Sequence, residues 1–361
     1  MGRKKKKLVF AAAVIAAIIA IAGSCGKVLS SHNAVKIDPY YLAGSPENKE
    51  HLRDLFTLLA EENKTDESTF AIVKEIANNL TRLREYSKLI NFLSERTINY
   101  PDDPYSSYYL LMIAYAYIQQ DSPEVAAQYF EIIVKNYNDL EVNGESIHLA
   151  CLKQLIELTD NPGQQVWYYQ ELISRFSDSI DLGVTWFMLA QANEETGNWN
   201  AAIRAYTSYL PYVGTIVPGF PNADNYARQQ VHFNNSPKDW TFESLPSLLA
   251  TVKAALDTGN PNQLRRVQAK VNFFARSWGQ GETDDSGMAD FNLSDFMRGN
   301  RIRYADSLDS SSHATEAFLR TWGWTQNIST WYLYFRKIYF PSDPEIHGRW
   351  EWAGIYYGEK F

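Results

Sequence analysis

The segment GVTWFMLAQANEETGNWNAAIRAYTSYL, residues 183–210, decides the fold class of this chain. Its apolar residues recur at spacings of three and four, the period of an amphipathic helix. Gly197 interrupts the pattern, and a glycine there can adopt the left-handed conformation that ends a helix. The small residues Ala190 and Ala202 allow two antiparallel helices to approach closely. The segment therefore predicts a helix pair joined by a short turn.

Two upstream segments repeat this pattern. Residues 106–137, SSYYLLMIAYAYIQQDSPEVAAQYFEIIVKNY, place Asp121 where the turn glycine stands in the first segment. Residues 72–101, IVKEIANNLTRLREYSKLINFLSERTINYP, show the same helical spacing and end in a proline. A helix pair that recurs along a chain predicts a repeat architecture.

Equivalent alanines give the period of this repeat. Ala77 lies 37 residues before Ala114, which lies 76 residues before Ala190. Because 76 is twice 38, one further unit fits between the last two, and residues 146–176 supply it. Its two helical patterns are separated by Asp-Asn-Pro-Gly at 160–163, a strong turn signal.

The pattern resembles that of the tetratricopeptide repeat, or TPR, a helix pair of about 34 residues. The best copy carries the signature residues Trp186, Leu189, Ala190, Gly197, Trp199, Ala202 and Tyr206. The resemblance implies a mostly α protein in which antiparallel helix pairs stack into a solenoid over residues 49–213, with a helix at about 49–62 capping the stack. Such a stack leaves a groove lined by the first helix of each pair.

The remainder of the chain has a different composition. Residues 214–242 are rich in Pro, Gly and Asn and predict an irregular excursion. Residues 243–278 predict an additional helical hairpin that lacks the full repeat signature. Residues 279–361 predict an aromatic-rich α+β region, in which 329–340 and 348–361 form a β-hairpin or part of a small sheet folded back on the last helices.

The N-terminus, MGRKKKKLVFAAAVIAAIIAIAGSC, predicts an export signal at residues 1–24. The 15 apolar residues 8–22 rise about 22 Å as a helix, short of the roughly 30 Å hydrocarbon core. Small residues before Cys25 resemble a bacterial lipoprotein signal, with Ala22 where leucine is commonest, as in some groups such as spirochaetes. The resemblance implies palmitate-type lipidation of Cys25.

If Cys25 is lipidated, residues 25–48 form a tether between the membrane and the folded part of the chain. The folded part would then be membrane-anchored but extracytoplasmic, on the periplasmic face or the cell surface of a bacterium. An uncleaved signal anchor and an ordinary secretory signal are the alternatives to lipidation.

Charge and cysteine content narrow the functional classes. The formal charge of −8 becomes −13 without residues 1–24, which carry five positive charges and no negative one. This excess argues against nucleic acid as a partner, because phosphate binding needs clustered positive charge. With Cys25 lipidated, Cys151 has no partner for a disulfide. Cys151 lies in an amphipathic helical pattern and is predicted to be a small buried side chain rather than a nucleophile, although His148 is three residues away.

Motifs for catalysis are absent from the sequence: it contains neither an H-E-x-x-H pair, nor a G-x-S-x-G elbow, nor a phosphate-binding loop. We expect no cofactor and no metal. Glu194 and Glu195 are interpreted as a solvated face rather than an acid–base pair, and the aspartates of the linker 279–290 as a solvated loop rather than a calcium site.

Two sets of aromatic residues are candidates for contact with a partner. Tyr108, Tyr109 and Tyr115 lie on a predicted first helix, where a groove position and a core position are equally compatible with the pattern. Trp350 and Trp352 alternate on one face of the last predicted strand, where core packing is the preferred interpretation.

These observations predict a lipid-anchored TPR scaffold or adaptor of the cell envelope that binds a protein partner through its groove and is not an enzyme. A ligand-binding module for a hydrophobic solute or glycan, associated with transport or the envelope, is the alternative. A cell-wall hydrolase is the third interpretation.

Overall fold

The computed structural model of the chain describes residues 37–62, 64–278 and 292–360. They form two compact units, unit 1 up to Ile180 and unit 2 from Asp181 onward. The described residues are mostly helical and end in a small five-stranded sheet. This confirms the coarse prediction of a mostly α chain with a C-terminal β region.

Unit 1 contains seven α-helices and one short hairpin within the described residues. The elements are α1 (Pro46–Glu62), α2 (Glu67–Arg82), α3 (Tyr86–Asn99), α4 (Ser106–Gln119), α5 (Pro123–Asn136), β1 (Glu141–Val142), β2 (Glu145–Ser146), α6 (Ile147–Leu158) and α7 (Pro162–Phe176). Each helix contacts the next one along the chain. The short connections make neighbouring helices antiparallel.

Helix α4 forms the centre of unit 1. Its residues 106–116 are all buried, and it contacts α3, α5 and α6. Apolar and aromatic residues occupy every side of the helix, as expected where other elements surround it. Ala114 on α4 and Ala126 on α5 are fully buried, in keeping with the close approach predicted for small residues.

An ion pair fixes the entry to α4. The Arg96 guanidinium on α3 donates to one carboxylate oxygen of Asp103 at 2.7 and 3.2 Å, and the other oxygen accepts the backbone N–H of Tyr105. Arg96 also donates to the Lys64 carbonyl at 2.6 Å. Both charged side chains are almost completely buried. Such a pair is costly to break because removing one partner leaves a buried charge uncompensated.

Unit 2 begins with helices and continues into the sheet. Its described elements are α8 (Leu182–Glu195), α9 (Trp199–Tyr209), α10 (Ala223–Asn235), α11 (Leu245–Asp257), α12 (Pro261–Val267), β3 (Phe274–Ser277), α13 (Leu293–Met297), β4 (Arg303–Tyr304), β5 (Glu316–Trp322), β6 (Trp331–Lys337) and β7 (Trp350–Tyr357). The strand order is β3-β7-β6-β5-β4. β3 and β7 pair in parallel, and the other neighbours are antiparallel.

The sheet is buried on one face by helices of unit 2. Leu319, Leu333 and Trp352 on that face join Val252 of α11 and Leu264 of α12 in one apolar cluster. Strand residues alternate between faces, so every second side chain points into this cluster. The C-terminal sheet therefore folds back on α11 and α12, as predicted.

The opposite face of the sheet is aromatic. Phe318, Tyr332 and Tyr334 are buried there, and the Trp278 ring stacks on Tyr356 with ring centroids 4.2 Å apart. Stacked and edge-to-face rings add stabilisation beyond the area that they bury. The apolar residues of the last strands are thus divided between two faces rather than presented on one.

Four helix turns share one hydrogen-bond pattern. Their central residues are Arg84, Asp121, Gly197 and Gly259, all left-handed, with φ between 57° and 74°. Each central N–H donates to the carbonyl three residues before it, and the next N–H to the carbonyl five residues before itself. This is a helix-ending arrangement that glycine adopts most easily. The first three turns are 37 and 76 residues apart, which matches the alanine spacing.

The region 214–242 differs from its prediction because it contains the 13-residue helix α10. The buried positions of α10 include Ala223, Ala227 and Gln230. Small and polar residues at these positions hide the helical period from a search for apolar spacing.

The predicted helical hairpin at 243–278 is correct only in its first part. Helix α12 ends at Val267, and the chain then forms β3, in which Phe274 lies opposite Gly354 of β7. The strand assignment comes from pairing with a partner about 80 residues later in the chain, which local spacing does not reveal. The predicted helix at 49–62 is present as α1.

Candidate functional site

The predicted lipidation site, Cys25, lies outside the described residues, so lipidation and the export signal stay predictions. Among the described residues, no helix is both long and apolar enough to cross a lipid bilayer.

The aromatic residues predicted to contact a partner are buried. Tyr108, Tyr109 and Tyr115 on α4 are 1, 0 and 5 % exposed, and Trp350 and Trp352 on β7 are 6 and 0 % exposed. The two tryptophans lie in the cluster between the sheet and its helices. Tyr115 lines a pocket in unit 1.

The repeat-signature residues lie on α8 and α9 of unit 2. Ala190, Ala202 and Tyr206 are fully buried and Leu189 is 5 % exposed. Trp186 and Trp199 are half-buried. Gly197 has φ +74° in the turn between the two helices, which confirms the predicted left-handed conformation.

Cys151 on α6 is completely buried. Burial raises the pKa of its thiol above the ordinary value, so the thiol stays protonated at neutral pH and is a poor nucleophile. Cys151 is therefore a small buried side chain, as predicted.

His148 on the same helix is also buried. Its Nδ1 lies 2.6 Å from a guanidinium nitrogen of Arg175, so Nδ1 accepts and the neutral ring carries its proton on Nε2. Burial lowers the pKa of His148, and the charge of Arg175 acts in the same direction. The ring is therefore a neutral structural partner of Arg175.

The candidate site is a pocket of about 790 Å³ in unit 1. It is bounded by the exposed side of α6, by the β1–β2 hairpin and by the end of α7, with Tyr115 of α4 contributing from the core. The hairpin is positioned by Asp139, whose carboxylate accepts from the Ser146 hydroxyl at 2.6 Å and from the His148 backbone N–H at 3.0 Å. The Ser146 hydroxyl in turn caps α6 by accepting the Leu149 N–H.

Two polar groups line this pocket without a hydrogen-bond partner among the described residues. One is the Tyr115 hydroxyl, and the other is the side-chain amide of Gln154, a residue that is 6 % exposed. Burial raises the pKa of Tyr115, so its hydroxyl remains a donor at physiological pH. Unlike the Tyr108 hydroxyl on α4, which is sealed from solvent, both groups are open to the pocket and can bond to water or to an incoming molecule.

The rim of the pocket is acidic. Glu141 and Glu145 on the hairpin, together with Asp139 and Glu157, face two cationic residues, Lys153 and Arg175. No ion pair of Glu141 or Glu145 occurs among the residues that the structure describes. Unit 1 as a whole, residues 37–180, has 11 Lys and Arg against 23 Asp and Glu, a formal charge of −12. The pocket can therefore attract a cationic group and offer it hydrogen bonds.

A second, smaller pocket of about 360 Å³ lies near the start of unit 1. Its walls include Tyr41, Phe56 and Phe92, whose rings contact one another at centroid distances of 5.3–6.0 Å. Arg96 also lines this pocket, but its guanidinium is already bound to Asp103.

Glu194 is not part of a solvated face, contrary to its interpretation from the sequence. Its carboxylate accepts from the Tyr226 hydroxyl of α10 at 2.9 and 3.1 Å, and burial raises its pKa. It is therefore a half-buried hydrogen-bonded group rather than part of a solvated face, whereas Glu195 is exposed. The sequence does not reveal this partner, because small and polar residues at buried positions of α10 conceal its helical period.

Within the residues that the structure covers, no three His, Cys, Asp or Glu side chains gather as a metal site would require. The aspartates of the 279–290 linker lie outside those residues. No protein-family model, curated protein or solved structure matches the chain.

Proposed function

We propose that this chain is an adaptor of the bacterial cell envelope, tethered through a lipid on Cys25, that binds a protein partner and is not an enzyme. In this proposal the helix pairs of unit 1 form a TPR-like stack, and the partner docks in a groove at the exposed side of α6, since residues 106–116 of α4, another first helix, are buried. The tether raises the local concentration of the adaptor at the membrane, which strengthens an otherwise modest interaction.

The pocket in unit 1 is the observation that carries this proposal. It lies beside α6, the first helix of the third predicted pair, and about 790 Å³ is ample for side chains of an extended segment. Leu149, Ala150 and Ile156 give it apolar surface, while Tyr115 and Gln154 offer hydrogen bonds. The lining also contains six charged residues, so it suits a segment that carries both apolar and charged groups.

Site-specific crosslinking in the native bacterium tests the docking side. The photoreactive residue p-benzoylphenylalanine replaces Leu149, which lines the pocket, or Leu58 of α1, which is 47 % exposed. We expect a discrete protein adduct from position 149 and none of the same mass from position 58. Identical adducts from both positions, or none from 149, would contradict docking at the pocket.

The membrane tether needs its own test, since it concerns a different part of the chain. Labelling with an alkyne analogue of palmitate should mark the wild type and Cys151→Ser but not Cys25→Ser. An unlabelled wild type would remove the lipid anchor from the proposal and leave the docking side to be judged by crosslinking.

A further inference from the structure

The pocket in unit 1 contains groups that suit one class of occupant. Tyr115 and Gln154 are residues that are more than nine-tenths buried, and the Tyr115 hydroxyl and the Gln154 amide have no hydrogen-bond partner among the described residues. The Tyr108 hydroxyl on the same helix is also unpaired but is sealed from solvent. Groups that are unpaired and still border a cavity are available to an incoming molecule, which would satisfy them.

The charge around these groups is negative. Glu145 and Glu157 lie near enough to Tyr115 for their charges to raise its pKa, after the larger effect of burial. Glu145 and Glu141 stand on the hairpin without a cationic partner in the described part of the chain. A cation entering between the hairpin and α6 is therefore favoured electrostatically.

The two cations beside the pocket do not cancel this charge. Arg175 donates to Glu171 at 3.3 Å as well as to His148, and its guanidinium lies 5.1 Å from the centre of the Phe176 ring. Its charge is thus shared with a carboxylate outside the pocket lining. Lys153 is exposed, and its flexible ammonium is well hydrated.

We propose that the pocket accepts a lysine or arginine side chain from an extended segment of the partner. This inference rests on the proposed function and names the chemistry that the site recognises. The cationic head lies near Glu145 and Glu157 and donates to the Tyr115 hydroxyl oxygen. The aliphatic stem contacts Leu149, and the segment's backbone amide bonds to Gln154. Long basic side chains combine an apolar stem with a charged head and fit such a mixed surface.

Three small probes test the charge that the pocket recognises. They are N-acetyl-arginine amide, N-acetyl-lysine amide and N-acetyl-citrulline amide, the last being a neutral isostere of the first. Ligand-observed NMR titrations use the full-length chain in detergent micelles. We expect both cationic probes to bind at least about fivefold more tightly than the citrulline probe, with weaker binding at high salt.

Variants connect the binding to the named residues. Glu145→Gln and Tyr115→Phe should each weaken the binding of the arginine probe about three- to tenfold. The matched control is Glu61→Gln at an exposed position of α1, which should change the affinity less than about twofold. Tyr115→Phe should leave the free energy of unfolding within about 0.5 kcal/mol, because the hydroxyl that it removes has no partner in the described chain.

Equal affinity for the arginine and citrulline probes would overturn the inference, as would equal effects of Glu145→Gln and Glu61→Gln or no binding at tens of millimolar. Crosslinking from position 149 does not depend on the charge of the occupant. An adduct at 149 without charge preference would therefore retain the docking side and reject the basic side chain.

Discussion

Helix pairs with the same turn occur in both units, but among the described residues the five-stranded sheet belongs to unit 2. In unit 1 each helix contacts its successor in the chain, so local periodicity is enough to locate the elements. In unit 2, β3 pairs with β7 although Phe274 and Gly354 are 80 residues apart. The difference shows that one chain can combine a part specified locally with a part specified by distant pairing.

The two units also differ in how they hold a buried carboxylate. In unit 1, Asp103 pairs with Arg96, and both side chains are at most 4 % exposed. In unit 2, Glu351 is fully buried and accepts from Arg336 at 2.8 Å and from the Trp240 indole N–H at 3.0 Å, but the Arg336 side chain is 28 % exposed. The Arg336 side chain is therefore partly accessible to water, although its Nη2 is buried, whereas the Arg96 side chain is almost completely enclosed.

Neutralising either carboxylate should cause the largest losses in the free energy of unfolding. Asp103→Asn should lower the free energy of unfolding by about 3–5 kcal/mol, because it leaves Arg96 charged and buried. Glu351→Gln should cost less, about 1–3 kcal/mol, because the Arg336 side chain is partly exposed and less desolvated than that of Arg96. Chemical denaturation measures both, with far-UV circular dichroism for the helices and tryptophan fluorescence for unit 2, which contains nine of the ten tryptophans.

The exposed neighbours Asp102→Asn and Glu345→Gln are the matched controls and should stay within about 0.5 kcal/mol of the wild type. If Asp103→Asn cost no more than Glu351→Gln, the contrast in burial between the two pairs would not govern their stability.

The shared left-handed turns give effects of intermediate size. Asp121→Gly in unit 1 should raise the free energy of unfolding by about 0.5–1 kcal/mol, because glycine adopts positive φ without steric cost. Gly197→Ala at the equivalent turn of unit 2 should lower it by about 1 kcal/mol. A Cβ at Gly197 meets no atom within 4 Å, so the backbone conformation alone causes the loss.

Thermal and chemical denaturation of both variants check the signs. Gly144→Ala adds a Cβ at another left-handed glycine with open space around it, in the β1–β2 hairpin. It should lower the free energy of unfolding by an amount similar to that of Gly197→Ala. Asp121→Gly with unchanged or reduced stability would mean that Asp121 makes a compensating contribution to its turn.

Two titrating groups should give the units opposite, and smaller, responses to acid. The pKa of His148 is lowered by burial from its ordinary 6.5, so its contribution to stability is complete above that pH and is lost as the pH falls toward the folded-state value. The pKa of Glu194 is raised by burial from 4.5. Its contribution is complete below that pH and is lost as the pH rises through the folded-state value.

Denaturation between pH 7 and pH 4.5 should therefore show a loss of stability in unit 1 through His148 and a gain in unit 2 through Glu194. His148→Gln and Glu194→Gln should each remove one of these two pH dependences of the free energy of unfolding. His51→Gln and Glu195→Gln, at exposed positions, should remove neither. Parallel slopes in the wild type and in His148→Gln would contradict the neutral, buried state of that ring.

The candidate site was only partly accessible to sequence reasoning. Tyr115 was named because tyrosines are common at interfaces, but the pattern of α4 could not distinguish groove from core. Gln154 was missed, since a buried amide among apolar helix positions carries no distinctive spacing. The pocket also needs the hairpin at 141–146 and the end of α7, and their approach to α6 depends on tertiary packing.

The sequence by itself determined the helix pairs from α2 to α9, their turns and the β character of the last segments, because apolar spacing and turn residues act over a few neighbours. Tertiary structure alone decided that β3 is a strand, that Glu194 meets Tyr226, and that Tyr115 and Gln154 border one pocket. These outcomes depend on contacts between residues far apart in the chain, whose free energy is gained only when the surrounding elements have packed.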